Sequence, residues 1–181
     1  MRDALHLENL RSRFNSGEKL KFAFFWGHQQ SKNGITSSCF SQWYGVPFVV
    51  DGQRYPTAEH YMMAEKAALF SDTVTRVQVL QSPNPGAAKA LGRQVRGFDE
   101  TVWLENRFSI VVRANEAKFG QNAELRAFLK QTGSRVLVEA SPVDRIWGIG
   151  LAQGDEKANN PNLWRGLNLL GFALMQVRDD A

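Results

Sequence analysis

The most regular hydrophobic pattern lies near the C-terminal end, where Leu163, Leu167, Leu170, Leu174 and Val177 recur at spacings of four, three, four and three. That period predicts a final helix with one apolar face, starting near Leu163. From Asp99 to about Lys118 two neighbouring stripes run together. Trp103, Arg107, Ile110, Ala114 and Ala117 form one, and Leu104, Phe108, Val111 and Asn115 form the other. Adjoining stripes predict a helix buried on most sides. Thr57, after Pro56, precedes "AEHYMMAEKAALF" and predicts a capped helix to about Phe70. "SDTVTRVQVLQ" predicts another, capped by Ser71 or Asp72. "SPNPGAAKALGRQVRGF" predicts a third, with Pro85 in its first turn and Gly97 after its end. "NAELRAFLKQTG" completes the helical set, with Asn122 as cap and Gly133 as stop.

Strands are fewer. "KFAFFWG" (Lys21 to Gly27), "VPFVVDGQRYP" with a turn at Asp51-Gly52, and "RVLVEA" (Arg135 to Ala140) carry the β signal. Between the first two, "HQQSKNGITSSCFSQWYG" reads as a polar loop carrying aromatics. Leu5, Leu7 and Leu10 suggest a short amphipathic helix or a partly ordered extension over residues 1–20, ahead of one domain over 21–181. Helices dominate and the strands do not alternate with them in βα order, so the expected class is α+β.

At 181 residues the chain is long enough for one domain with a core and a cleft. A net charge of +4 suits phosphorylated ligands but falls short of the dense basic stripe of a dedicated DNA-binding domain. No apolar run nears the ~20 residues that span a bilayer, and the start has no continuous signal-peptide core. Cys39, the lone cysteine, excludes an internal disulfide and fits a reducing, cytoplasmic setting. "EHYMMAE" lacks the second histidine of a zinc helix, and His6, His28 and His60 are scattered. Neither a metal nor a cofactor is expected.

Chemistry concentrates in two stretches. In "RYPTAEHYMMAEKAALF", Glu59 falls in the first helical turn, where it either complements the dipole or acts on a substrate. Lys66 follows two turns on along the same face, past Met62 and Met63. Apolar neighbours lower an amine's pKa and can free a nucleophile, though a lysine stem also snorkels. His60 reads as a packed histidine and Glu65 as solvent-facing. In "SPVDRIWGIGLAQGD" the G-x-G spacing to Gly154 is one residue too long for a dinucleotide fingerprint. What remains is a glycine loop displaying Asp144 and Trp147. Asp144 is either a ligand group or a turn residue bonding local amides. Lys89, Arg93, Arg96, Arg107 and Arg165 are candidate phosphate ligands or solvated charges. Trp26, Trp43, Tyr44, Trp103, Trp147 and Trp164 are candidate stacking platforms or core.

Taken together, "YPTAEHYMMAEKA", "LGRQVRGFDETVW", "KFGQNAELRAFLKQTG", "LVEASPVDRIWGIGL" and "NPNLWRGLNLLGFALMQVR" resemble the NADAR family, from about Phe22 to Arg178. The family's "FSNFY" stands here as "FSQWY", so Gln42 and Trp43 change the pocket mouth. The resemblance implies hydrolysis of an N-glycosidic bond between ribose and an exocyclic amine, without cofactor. The implied substrate is a phosphorylated ribosylaminopyrimidine of riboflavin biosynthesis. The alternatives are ADP-ribose on guanine in nucleic acid, or ADP-ribose or NAD held without turnover. It also implies catalytic roles for Glu59, Lys66 and Asp144, with Trp103, Trp147, Arg107, Arg165 and Trp43 binding substrate. Glu59 is then a general base or charge stabiliser, and Asp144 a second carboxylate for ribose hydroxyls or protons. Lys66 is a Schiff-base nucleophile or a phosphate and ribose ligand.

Overall fold

A computed structural model describes residues 2–180. They form two units: one runs to Ser41 and resumes at Glu124, and the other is Gln42–Ala123. The first is built on two parallel strands, β1 (Phe22–Phe25) and β4 (Val136–Glu139), with Phe22 opposite Val136 and Phe25 opposite Glu139. A two-stranded sheet is stable only when covered, and the apolar run Val136–Val138 is buried. The cover is α7 (Leu169–Asp179). Gly171 lies so close to β4 that a Cβ there would stand 2.1 Å from the Leu137 carbonyl oxygen. Phe40 ends a 3-10 turn, Ser37–Phe40, inside the stretch expected to be a polar loop. Its ring meets Phe25 edge-on at 5.4 Å and Phe128 at 5.5 Å.

The N-terminal segment forms α1 (Arg2–Asn15), which packs on α7 with His6 stacked on Phe172; Leu7 and Leu10 are buried and Leu5 is exposed. Arg11 Nε donates to the Pro161 carbonyl at 3.0 Å.

The final helix starts six residues later than the leucine spacing predicts. Pro161–Leu163 is a 3-10 turn, and Leu163 is 48% exposed. The amides that a longer helix would need are already used. Arg165 donates to Ile149 (2.9 Å), Leu167 to Arg145 (3.0 Å) and Asn168 to Gly148 (3.1 Å). Asn168 then turns left-handed at φ 56°. Its buried amide mimics a neighbouring strand. Nδ2 donates to the Leu137 carbonyl at 2.9 Å, and Oδ1 accepts from the Glu139 amide at 3.0 Å.

In the second unit β2 (Phe48–Val50) and β3 (Gln53–Tyr55) form an antiparallel hairpin. Asp51 (φ 49°) and Gly52 (φ 79°) both adopt positive φ, as the tight two-residue turn requires. Helix α2 (Ala58–Leu69) is surrounded by α3 (Thr73–Gln81), α4 (Pro85–Gly92) and α5 (Glu100–Gly120). Helix α4 stops at Gly92, earlier than expected, and Gly97 (φ 70°) lies in the turn that follows. Gly92 lets α4 approach α2 closely, since a Cβ there would run into the Met63 side chain and force it to shift. Asp72 clasps the corner. It caps Thr75 and accepts from the Arg96 amide and guanidinium, which hold its carboxyl well below the usual carboxylate range. Asn122, expected to cap α6 (Ala123–Lys130), turns its amide back onto the Lys118 carbonyl at 2.7 Å and so closes α5.

Among the described residues no helix is long and apolar enough to cross a membrane. The helix-rich pattern with a few short strands is the expected α+β class.

Candidate active-site residues

The first turn of α2 is built by three short interactions. Thr57, in extended conformation, caps the helix by accepting from the His60 amide at 3.3 Å. His60 Nδ1 lies 2.7 Å from the Thr57 hydroxyl and Nε2 lies 3.2 Å from the Ser82 carbonyl. A carbonyl only accepts, so the partners assign the proton to Nε2 and make Nδ1 the acceptor. Burial lowers the pKa of this ring, consistent with a neutral, structural histidine.

Inside that frame sits Glu59, 3% exposed, its amide donating to the Gln42 carbonyl at 3.0 Å. The helix start places partial positive charge around its carboxylate. Gln42, where the family pattern has Asn, is also buried. Its Oε1 accepts from Asn115 Nδ2 at 3.0 Å, and the same Nδ2 donates to the Val111 carbonyl at 2.8 Å. The backbone and side chain of one residue therefore join the first turn of α2 to α5.

Lys66 lies two turns further along α2 than Glu59. Seven residues at the helical rise separate them by about 10 Å along the axis. Its Nζ donates to the Gly92 carbonyl at 2.8 Å, lying 4.4 Å from the Phe98 ring and 5.4 Å from the Trp103 ring. Burial lowers its pKa, while the carbonyl and the two π faces suit a cation. Lys66 and Trp103 are thus brought together. Arg107, one turn beyond Trp103, is buried. Trp43 lies beside Gly86, with Lys89 Nζ 5.9 Å from its ring.

The other unit carries the remaining candidates. Asp144 Oδ1 accepts from the amides of Ile146 and Trp147, both at 2.8 Å, so the turn reading of this residue holds for that oxygen. Ser141 Oγ in turn accepts from the Asp144 amide at 3.1 Å. Trp147 is half-buried and its carbonyl accepts from the Leu170 amide. Arg165 is exposed. Trp164 is core: its indole donates to the Ala158 carbonyl at 2.8 Å.

A match to the NADAR domain model covers residues 24–180. The chain belongs to the NADAR family. It is 42% identical over 166 residues to N-glycosidase R617 of Acanthamoeba polyphaga mimivirus, covering 88% of this chain and 96% of that protein. It is 35% identical to N-glycosidase YbiA of Escherichia coli, over 77% of this chain and 79% of YbiA. The NMR structure of YbiA superposes with a TM-score of 0.70 at 29% identity, covering 88% of this chain and 84% of that one. A third relative is the chloroplastic riboflavin biosynthesis protein PYRR of Zea mays, 35% identical over 134 residues, of which this chain spans about a fifth.

All eight candidate residues fall inside the NADAR match. Sequence reasoning passed over a ninth polar group in the same region, Lys118 of α5. It is fully buried, with Nζ 5.6 Å from the Tyr44 ring and 5.2 Å from the Phe119 ring. The signal was present, since Lys118 continues the stripe of Arg107, Val111 and Ala114 at helical spacing. A lysine there was easily read as the polar end of a helix. Among the described residues no cluster of histidine, cysteine or carboxylate side chains forms a metal site.

Proposed function

We propose that this NADAR protein is an N-glycosidase acting on a ribosylaminopyrimidine 5'-phosphate of riboflavin biosynthesis. Its relatives R617 and YbiA carry the N-glycosidase name, and PYRR carries the link to riboflavin. In such a compound the anomeric carbon of ribose is bonded to an exocyclic amine. Water attacks that carbon, the C–N bond breaks, and the nitrogen leaves with a proton as the free amine. The products are ribose 5-phosphate and the free aminopyrimidine.

The observation that carries this reading is the placement of Glu59. A carboxylate buried in the first turn of α2, on a residue whose backbone amide is tied to the Gln42 carbonyl, is placed to stabilise positive charge or accept a proton from water. We assign it that role. Asp144 has one oxygen committed to its turn, and its other oxygen is assigned to a ribose hydroxyl. Trp103 supplies a flat face, with Lys66 as the cation beside it. We assign Lys66, whose Nζ donates to the Gly92 carbonyl, to positioning the substrate; the Schiff-base reading is the alternative for the same amine.

Incubation of the purified protein with two ribosylaminopyrimidine 5'-phosphate intermediates of riboflavin biosynthesis, followed by assay of ribose 5-phosphate, tests the reading. Release from at least one is expected. No release from either by folded protein sinks the substrate assignment.

A further inference from the structure

The loop that carries Asp144 also carries an arginine that the sequence reading passed over. We infer that Arg145 and Arg165 together form an anion site for a terminal phosphate, the group carried by the substrate class proposed above.

The inference starts from the backbone. The segment from Arg145 to Ile149 is tied to the segment from Arg165 to Leu170 by a run of amide–carbonyl bonds. Arg165 donates to Ile149, Leu167 to Arg145, Asn168 to Gly148, Leu169 to Ile146 and Leu170 to Trp147, all between 2.9 and 3.2 Å. Gly166 makes the approach possible, because a Cβ there would lie 2.3 Å from the Gly148 carbonyl oxygen and 2.7 Å from Arg145 Cα. Two arginines twenty residues apart in sequence therefore start from fixed, adjacent points.

Their stems then converge on Gly150. A Cβ at that position would stand 3.0 Å from Arg165 Cβ and 3.1 Å from Arg145 Cγ. Gly150 has φ 68°, so the site is kept bare by a residue whose backbone conformation also favours glycine. Both arginines are exposed, and neither makes an ion pair among the described residues. Asp144, next in sequence, places Oδ1 on the amides of Ile146 and Trp147.

Two guanidiniums on converging stems repel each other unless an anion joins them. Their planar forks match the oxygens of a phosphate, and a terminal phosphomonoester offers three oxygens to two such donors. The site would thus select phosphorylated ribosides over their dephosphorylated nucleosides.

The test uses the full chain and two probes, ribose 5-phosphate and ribose, with binding followed by NMR shift titration. The wild type is expected to prefer ribose 5-phosphate. Arg145→Ala and Arg165→Ala should each cut that preference about tenfold, the scale of one charge-assisted contact. Arg145→Lys should retain part of it. If the riboflavin intermediates are turned over, the same variants raise KM for the phosphorylated substrate far more than they lower kcat. A phosphate preference that survives intact in the folded double variant overturns the site. Binding of ribose 5-phosphate does not require turnover. An arginine-dependent preference without hydrolysis of either intermediate would therefore leave this site standing and remove the proposed substrate.

Discussion

The first turn of α2 and the loop from Ser141 to Gly150 both gather polar side chains around a cap, but they do so in opposite surroundings. Around Glu59, the groups Gln42, Thr57, His60 and Asn115 are all buried. Around Asp144, Arg145 and Ile146 are exposed and Val143 is 86% exposed. A buried polar atom must find a partner or cost the fold its desolvation, so each residue type in the first region is narrowly set. In the loop the backbone bonds carry the geometry, and the side chains are available to a ligand. Change in the first region should therefore strike chemistry, and change in the second should tune affinity.

The sharpest test of that contrast is Glu59→Gln against Asp144→Asn. Glu59→Gln keeps the shape and removes the charge, and turnover should fall by at least ~100-fold with little change in melting temperature. Asp144→Asn retains a carbonyl oxygen for the Ile146 and Trp147 amides and should lower turnover only about tenfold. Steady-state kinetics on the released sugar phosphate measure both. An Asp144→Asn loss equal to that of Glu59→Gln would erase the distinction between the two regions.

The contrast also predicts where the loop is fragile: in its backbone supports. Asn168→Ala strips the Leu137 carbonyl and the Glu139 amide of their buried partners and leaves a non-glycine residue at positive φ. A loss of about 3 kcal/mol in denaturant unfolding is expected, at the upper end for unsatisfied buried groups. Gly166→Ala drives a methyl into the Gly148 carbonyl and the Arg145 backbone, for an overpacking cost of ~1–3 kcal/mol. It should also weaken ribose 5-phosphate binding by displacing Arg165. Stability equal to wild type in both variants would mean that the segment is not held by these contacts.

Local rules made much of this legible. The Thr57, Asp72 and Pro85 signals, the Asp51-Gly52 turn and the long double stripe of α5 each depend on neighbours within a few residues, and each forms as expected. What failed depended on distant chain. Leu163 and Leu167 kept helical spacing, yet their segment bonds to residues 145–149 instead of coiling. Glu59 and Lys66 were correctly placed on one helix, but their separate partners, Gln42 and Gly92, were invisible without the fold. Lys118 and the convergence of Arg145 with Arg165 were missed for a related reason. Spacing identifies a face, but burial and convergence are decided by what packs against it.

The smallest predicted effect concerns His60, whose ring is held between the Thr57 hydroxyl and the Ser82 carbonyl at the start of α2. Its folded pKa lies below the ordinary value of 6.5 because burial disfavours the charged ring. Between those two values the unfolded chain binds a proton that the folded chain does not. The stability that His60 contributes near neutrality is therefore lost as pH falls below 6.5. His6, which stacks on Phe172 at 5.4 Å, is also lowered by burial and acts in the same direction. The wild-type melting temperature should then drop between about pH 7.5 and about pH 5.5, above the range where ordinary carboxylates titrate. His60→Gln can still donate to the Ser82 carbonyl but cannot take up the proton. Its melting temperature should fall less over the same interval, with His6 supplying the remaining slope. Parallel slopes for the two proteins would mean that the Thr57–His60–Ser82 chain tolerates a charged imidazole, and that the first turn of α2 is less rigid than its buried hydrogen bonds imply.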